Sequence, residues 1–103
     1  MKVMCLGGGP AGLYFAISRK LRDPQHDVTV LERNQSNDTF GWGVVLSDDA
    51  LARMQKNDPK STDAIRSHFI YWDDIAVIHK GKRTVSTGHG FAGIGRMQLL
   101  LLL

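Results

Sequence analysis

The chain has 103 residues, which allows one domain at most and only a modest hydrophobic core. Its 13 basic and 10 acidic residues nearly balance, and no lysine and arginine run with interleaved aromatic residues occurs, so the charge of +3 does not indicate nucleic-acid binding. The single cysteine, Cys5, excludes an internal disulfide and a multi-cysteine zinc site. No signal-peptide pattern precedes the first predicted strand, so we expect a cytoplasmic location.

A glycine-rich turn follows an apolar segment that predicts a first strand at the start of the chain. Gly7, Gly9 and Gly12 fit the pattern GxGxxG, and Pro10 and Ala11 lie in the first turn of the helix predicted after it. Glycine at these positions permits a sharp turn, close approach of the backbone to phosphate, and close packing of the helix on the strand. The order of strand, turn and helix is the one that a nucleotide pyrophosphate site requires.

An acidic residue, Glu32, ends the second predicted strand at residues 28–32. It lies about 20 positions after Gly12, where dinucleotide-binding folds place the carboxylate that accepts a hydrogen bond from a ribose hydroxyl. A glycine turn without a ligand is the alternative, and the strand before it and the acid after it both disfavour that interpretation. The sequence therefore predicts an α/β fold with a Rossmann-like βαβ unit, whose crossover helix spans residues 13–22 and ends before Asp23 and Pro24.

A polar loop of residues 33–43 ends in alternating aromatic residues and glycines, Phe40-Gly41-Trp42-Gly43. Two explanations remain open for this segment. It could be a bend packed under two aromatic rings, or backbone that passes close to a flat cofactor.

Ser47 is the predicted N-cap of a helix that runs towards residue 54 or 55. Asp48 and Asp49 would occupy its first turn, where complementing the helix dipole explains them more simply than a paired-carboxylate site does. Pro59 is interpreted as a break, and residues 61–69 predict a second short helix.

The second half of the chain contains a predicted β-hairpin, with strands at residues 75–79 and 83–87. The basic residues at its tip are interpreted as solvating the turn. Residues 87–95 are glycine-rich and predict a loop that could contact a ligand, followed by Arg96 and by a helix that opens with Gln98 and the terminal leucines. The planar guanidinium of Arg96 suits a phosphate. His26 is interpreted as a solvated turn residue, and His89, which lacks a visible partner, as structural or solvated.

The chain ends in five leucines, which would cover every side of a helix and leave some exposed unless another structure covers them. The run is too short to span a bilayer. We therefore expect an incomplete domain, the amino-terminal piece of a larger protein, with the leucines as a candidate surface for a homo-oligomer.

Five segments together resemble the start of the flavin-dependent aromatic hydroxylases of the para-hydroxybenzoate hydroxylase superfamily. They are GGGPAGLYFAISRKL, VTVLERN, FGWGVVLSDDAL, WDDI and GHGFAGIGR. The first two are shared by many FAD proteins, whereas FGWGVV and GHGFAGIGR are more specific. Within the superfamily, the chain is most similar to the branch that acts on aromatic coenzyme A thioesters.

The resemblance implies an FAD-binding domain of an NAD(P)H-dependent monooxygenase that hydroxylates a small aromatic substrate, either free or as a coenzyme A thioester. It assigns the pyrophosphate to the glycine turn, the adenosine ribose to Glu32 and the adenine side to Arg33. It also places the segment Trp42, Gly43, Val44 and Val45 near the flavin and its ribityl chain. Arg96 is implied to approach FAD as well. The later DG and GD motifs of the family are absent, so we expect this chain alone to be inactive.

Two other classes remain open from the sequence. A nicotinamide-dependent dehydrogenase shares the glycine turn and the acidic residue, although no catalytic arrangement of Tyr, Lys or His accompanies them here. A small nucleotide-binding or interaction module could use its terminal leucines to contact a partner. Neither a nucleic acid nor a membrane is expected as a partner, and no metal-ligand cluster is visible.

Overall fold

The computed structural model describes residues 1–103 and has a mixed α/β architecture. The elements in chain order are β1 (Lys2–Leu6), α1 (Pro10–Arg22), β2 (Asp27–Leu31), β3 (Gly43–Ser47), α2 (Asp48–Asn57), α3 (Pro59–Arg66), β4 (Ile70–Trp72), β5 (Ile75–His79), β6 (Lys82–Ser86), β7 (Phe91–Gly95) and α4 (Arg96–Leu102). The strands form a parallel pair β1-β2, an antiparallel sheet β3-β7-β4 and a separate hairpin β5-β6. The predicted α/β fold is therefore confirmed.

The βαβ unit forms as the sequence predicts. β1 and β2 pair in parallel, with Lys2 opposite Asp27 and Leu6 opposite Leu31, and α1 is the crossover. The helix begins at Pro10, which agrees with the expectation that Pro10 lies in its first turn, because a first helical turn does not need the N–H that proline lacks. It ends where the backbone N–H of Asp23 donates to the carbonyl of Arg19.

The prediction of a glycine-rich loop over residues 87–95 is wrong for its second half. Residues 91–95 form β7, the central strand of the three-stranded sheet, which pairs with β3 on one side and β4 on the other. Ala92 and Ile94 are buried on one face of β7. On the other face, a Cβ on Gly93 would lie only 2.8 Å from Cζ3 of Trp72, so the Trp72 ring packs directly on the strand. The short strand β4 was also not predicted.

Helix α2 begins as expected, with the N–H of Ala50 donating to Oγ of Ser47 at 3.3 Å. Asp48 and Asp49 occupy its first turn, and Asp49 forms an exposed ion pair with Arg53 at 2.9 Å. Both positions agree with the helix-dipole interpretation. The helix continues to residue 57, beyond the predicted end.

Pro59 separates the two helices as predicted: α2 ends at Asn57, and Pro59 is the first residue of α3, two residues before the predicted start of that helix. The preceding residue, Asp58, ends α2 and caps α3: its N–H donates to the carbonyl of Met54, and its Oδ1 accepts from the N–H of Ser61 at 3.0 Å. The helix ends at Arg66, three residues before the predicted end at residue 69. A single buried aspartate therefore holds the junction of the two helices.

The core is small and lies between α3, the three-stranded sheet and α4. Its central cluster of buried residues consists of Ile65, Ile94 and Leu99. The accessible surface of the chain is 7525 Å². This area is larger than the surface of a typical folded monomer of the same mass, which is about 5,800 Å². Among the terminal leucines, Leu99 is 5% and Leu101 69% exposed, which matches the expectation of uneven burial. No helix combines the length and the apolar character that crossing a membrane requires.

The predicted hairpin is confirmed, and β6 begins one residue earlier than expected. A two-residue turn at Lys80 and Gly81 joins its strands, and both residues have positive φ, 48° and 76°. A two-residue turn with positive φ at both positions matches the twist of the two strands that it joins. Every residue of β5 and β6 is exposed, so the basic side chains at the tip face solvent.

Candidate cofactor site

The glycine turn places the N-terminus of α1 beside the end of β2. Gly7 has φ of +110°, and its N–H donates to the carbonyl of Leu31 at 2.8 Å. A Cβ on Gly12 would overlap the carbonyl oxygen of Gly7, so the helix packs on the turn only because residue 12 has no side chain. Gly9 is the N-cap of α1 and provides no side-chain hydrogen bond. The N–H groups of the first helical turn are therefore left without a side-chain cap, which suits an anion.

Glu32 fastens this turn to the loop that follows β2. Its Oε2 accepts a hydrogen bond from the N–H of Gly8 at 2.7 Å, and its Oε1 accepts from both the backbone N–H and Nδ2 of Asn34 at 2.8 Å. The backbone N–H groups of Asn34 and Gly8 lower the pKa of Glu32 below its ordinary value of 4.5, so the carboxylate is ionised at neutral pH. A Cβ on Gly8 would lie 2.9 Å from Cβ of Glu32. Gly8 is thus a further required glycine that the GxGxxG pattern did not reveal.

Two clefts share Glu32 and Asn34. One has a volume of about 600 Å³ and includes Arg33 in its lining, together with Leu6, Gly7 and Leu31. The other has a volume of about 410 Å³ and lies between the glycine turn, the loop after β2 and α4; its lining includes Gly8, Gly9, Thr39, Phe40 and Arg96. The predicted residues Gly9, Glu32 and Arg96 are therefore brought together at the second cleft, while Arg33 lies at the first.

Arg96 crosses from the three-stranded sheet to the glycine turn. Its backbone N–H donates to the carbonyl of Trp42 at 3.2 Å. Its Cδ lies 3.7 Å from where a Cβ on Gly41 would be, and its Nη2 lies 3.6 Å from where a Cβ on Gly9 would be. Its Nε is buried and has no hydrogen-bond partner within the protein. A cation with an unused donor beside an uncapped helix N-terminus fits a phosphate group.

A second unpaired group borders the same cleft. Oγ1 of Thr39 is buried and has no hydrogen-bond partner. Sequence reasoning missed Thr39, although it directly precedes the Phe-Gly-Trp-Gly segment. Two of the five buried polar atoms that lack a partner in this chain therefore lie in residues that line one cleft, where a bound polar group could satisfy both.

The predicted flavin segment, residues 42–45, lies away from the glycine turn. Trp42 is 99% exposed and borders, with Val45, a different apolar surface that includes Ile70 and Trp72. Val44 instead packs against the core. Because the ring of Trp42 is exposed, the account of a bend packed under two aromatic rings is wrong. The contact of residues 42–45 with the flavin remains a prediction.

The histidines have protein partners. Nε2 of His89 is 2.7 Å from Oγ of Ser86, and its ring stacks on Phe91. Nε2 of His26 is 2.6 Å from Nη2 of Arg19, and its Nδ1 is 3.2 Å from Asp23. These contacts support the structural interpretation of His89, whereas the expectation of a solvated His26 is wrong, because its side chain is only 14% exposed between Arg19 and Asp23. No group of three or more His, Cys, Asp or Glu side chains is placed to hold a metal ion.

A parallel βαβ unit, an uncapped glycine turn and an ionised acid after the second strand together define a dinucleotide-binding α/β fold. No family model matches the chain. It is 46% identical over all 103 residues to salicyloyl-CoA 5-hydroxylase of a Streptomyces species, of which it spans 20%. It is 34% identical over 86 residues, 84% of its length, to 3-hydroxy-4-methyl-anthranilyl-[aryl-carrier protein] 5-monooxygenase of Streptosporangium sibiricum, of which the match spans 24%.

Solved structures agree on the fold. The chain superimposes on the tetrameric form of 2-methyl-3-hydroxypyridine-5-carboxylic acid oxygenase with a TM-score of 0.79 and 22% identity, covering 98% of this chain and 27% of that one. The TM-score is 0.67 at 20% identity for 2,6-dihydroxypyridine-3-hydroxylase from Arthrobacter nicotinovorans, over 98% of this chain and 25% of that one. The chain is therefore homologous to part of the flavin-dependent aromatic monooxygenases, and the resemblance seen in its sequence is confirmed. It spans about a fifth to a quarter of the length of these relatives.

Proposed function

We propose that residues 1–103 form the N-terminal part of the FAD-binding domain of an NAD(P)H-dependent aromatic monooxygenase. The observation that carries the proposal is that Gly9 and Arg96 lie at one cleft. Nη2 of Arg96 is 3.6 Å from where a Cβ on Gly9 would be, and Nε of the same guanidinium has no hydrogen-bond partner. Homology to aromatic monooxygenases supports the class of reaction.

Each part of the site has a proposed role. The pyrophosphate lies between the N-terminus of α1, at Gly9, Pro10 and Ala11, and the guanidinium of Arg96. Glu32 accepts a hydrogen bond from the adenosine ribose, because it stands between the two clefts and is ionised at neutral pH. Arg33 lines the cleft proposed for the adenine.

The reaction chemistry belongs to the cofactor. FAD, when bound, supplies electron transfer and oxygen transfer, with NAD(P)H as the reductant. The residues of this chain bind and orient the cofactor, and Trp42 to Val45 are the proposed contact with its flavin half. No catalytic residue is assigned within the 103 residues, so we propose that they are inactive by themselves.

The proposed substrate is a small aromatic acid presented as a coenzyme A thioester. A relative with 46% identity is a hydroxylase of such a thioester, and another acts on an aromatic acid held by a carrier protein. We also propose a cytoplasmic location. Self-association through the terminal leucines is proposed as well, because Leu101 is 69% exposed at the end of α4.

An FAD titration of the purified chain, followed by flavin fluorescence, tests the cofactor assignment. We expect saturable quenching by the parent chain and at least tenfold weaker binding by Gly9→Val, because valine methyl groups would fill the space between Gly9 and Arg96. Ala64→Val is the matched control, since Ala64 is exposed on α3 and should bind FAD as the parent does.

A parallel titration with NAD⁺ separates the competing class. If the chain binds NAD⁺ but does not bind FAD, the result would favour a nicotinamide-dependent dehydrogenase and would overturn the flavin assignment. Equal FAD binding by the parent and by Gly9→Val would show that the cofactor does not lie against the glycine turn. If the chain binds neither nucleotide, the proposal that these residues hold the cofactor by themselves fails.

A further inference from the structure

A hydroxyl group in the loop after β2 has no hydrogen-bond partner within the fold. Oγ1 of Thr39 is buried, makes no hydrogen bond within the protein and borders the cleft that also contains the buried Nε of Arg96. A buried hydroxyl without a partner destabilises a protein compared with a methyl group of the same shape. Its position therefore calls for a partner that is not part of the chain.

The loop that carries Thr39 lies along the arginine. Gly41 packs against Cδ of Arg96, and the carbonyl of Trp42 accepts the backbone N–H of Arg96 at 3.2 Å. The far end of the guanidinium, Nη2, reaches Gly9. Residues 41 and 42 thus flank the side chain that extends to the glycine turn, and Thr39 lines the same cleft two positions earlier in the loop.

We propose that Thr39 is a cofactor-binding residue, whose hydroxyl donates a hydrogen bond to an oxygen of the phosphate group that Arg96 binds. This inference rests on the proposed cofactor function and adds a donor from a third element of the chain. A neutral hydroxyl and a cation that share one anion form a charge-assisted arrangement, which accounts for both unpaired atoms at once.

Replacing Thr39 with valine tests the proposal, because valine keeps the shape of threonine and removes only the hydroxyl. The ligands are FAD and ADP, since ADP contains the pyrophosphate without the flavin. We expect Thr39→Val to bind both about tenfold more weakly, and Thr39→Ser to remain within about twofold of the parent. Thr87→Val is the control, since Thr87 is exposed beyond β6 and does not line the cleft.

The thermal midpoint of the ligand-free chain separates binding from structure. Thr39→Val should leave the midpoint unchanged or raise it, because the lost hydroxyl had no partner within the protein. A lowered midpoint would show that the hydroxyl stabilises the fold and would overturn the proposal.

The two ligands also separate the possible failures. Unchanged affinity of Thr39→Val for both ligands would overturn the role of Thr39 while leaving the cofactor site intact. Weaker binding of FAD alone would place the hydroxyl against the flavin and overturn its assignment to the phosphate. If the parent binds ADP but not FAD, the flavin function fails and Thr39 is judged on ADP. If the parent binds neither, the cofactor proposal and this inference fail together.

Discussion

Gly12 packs against the carbonyl oxygen of Gly7 so closely that a Cβ on Gly12 would overlap that oxygen. The contact joins the first turn of α1 to the turn that leaves β1. The close approach therefore fixes where the N-terminus of the helix lies relative to the parallel strand pair, and with it the position of the proposed phosphate site.

We expect Gly12→Ala to lower the free energy of unfolding by about 1–3 kcal/mol, because the added methyl group must push the helix away from the turn. Urea denaturation followed by far-ultraviolet circular dichroism would measure the change. Gly95→Ala is the matched control: the site has open space and φ of −59°, so we expect a loss of about 0.5 kcal/mol or less. Equal losses at both positions would contradict the close approach at Gly12.

The ionised state of Glu32 predicts a pH dependence of stability. Its pKa is lower in the folded chain than the ordinary value of 4.5, so the unfolded chain binds more protons below about that pH. The contribution of Glu32 is therefore fully present above pH 4.5 and is lost as the pH falls through the lowered pKa. We expect Glu32→Gln to show a shallower fall of unfolding free energy between pH 5 and pH 3 than the parent. The unfolding free energies are measured by urea denaturation at each pH. An identical dependence on pH for both proteins would contradict the hydrogen bonds of Gly8 and Asn34 to the carboxylate.

The junction of α2 and α3 depends on Asp58, which is 1% exposed. We expect Asp58→Ala to lower the free energy of unfolding by about 1–2 kcal/mol, because the half-buried N–H of Ser61 at the start of α3 loses its acceptor. Thermal unfolding would measure this change. Asp74→Ala, at an exposed position between β4 and β5, should have little effect, and a similar loss there would argue against a capping role for Asp58.

The sequence alone predicted the elements whose signals are local. Three local signals each specify their structure through neighbouring residues: Pro10 after a glycine turn, Ser47 before two aspartates, and Lys80-Gly81 between two strands. These elements therefore formed close to where they were expected. The same holds for Glu32, because its distance along the chain from the glycine turn is set by one βαβ unit.

Strand β7 shows where local signals fail. Its glycines predict a loop, since glycine is unfavourable in strands in isolation. The strand forms because it is paired on both sides and because the ring of Trp72 occupies the space above Gly93. Both conditions come from residues distant in sequence, which composition and periodicity do not contain.

The candidate site divides in the same way. The sequence determined the glycine turn, the acidic residue and the arginine as separate features. Only the tertiary structure decided that they meet, because the antiparallel pairing of Gly43 with Gly95 places Trp42 beside Arg96 and directs that arginine to Gly9. Thr39 joined the site for the same physical reason: the burial of its hydroxyl depends on packing between the loop after β2 and α4, and no local pattern specifies that packing.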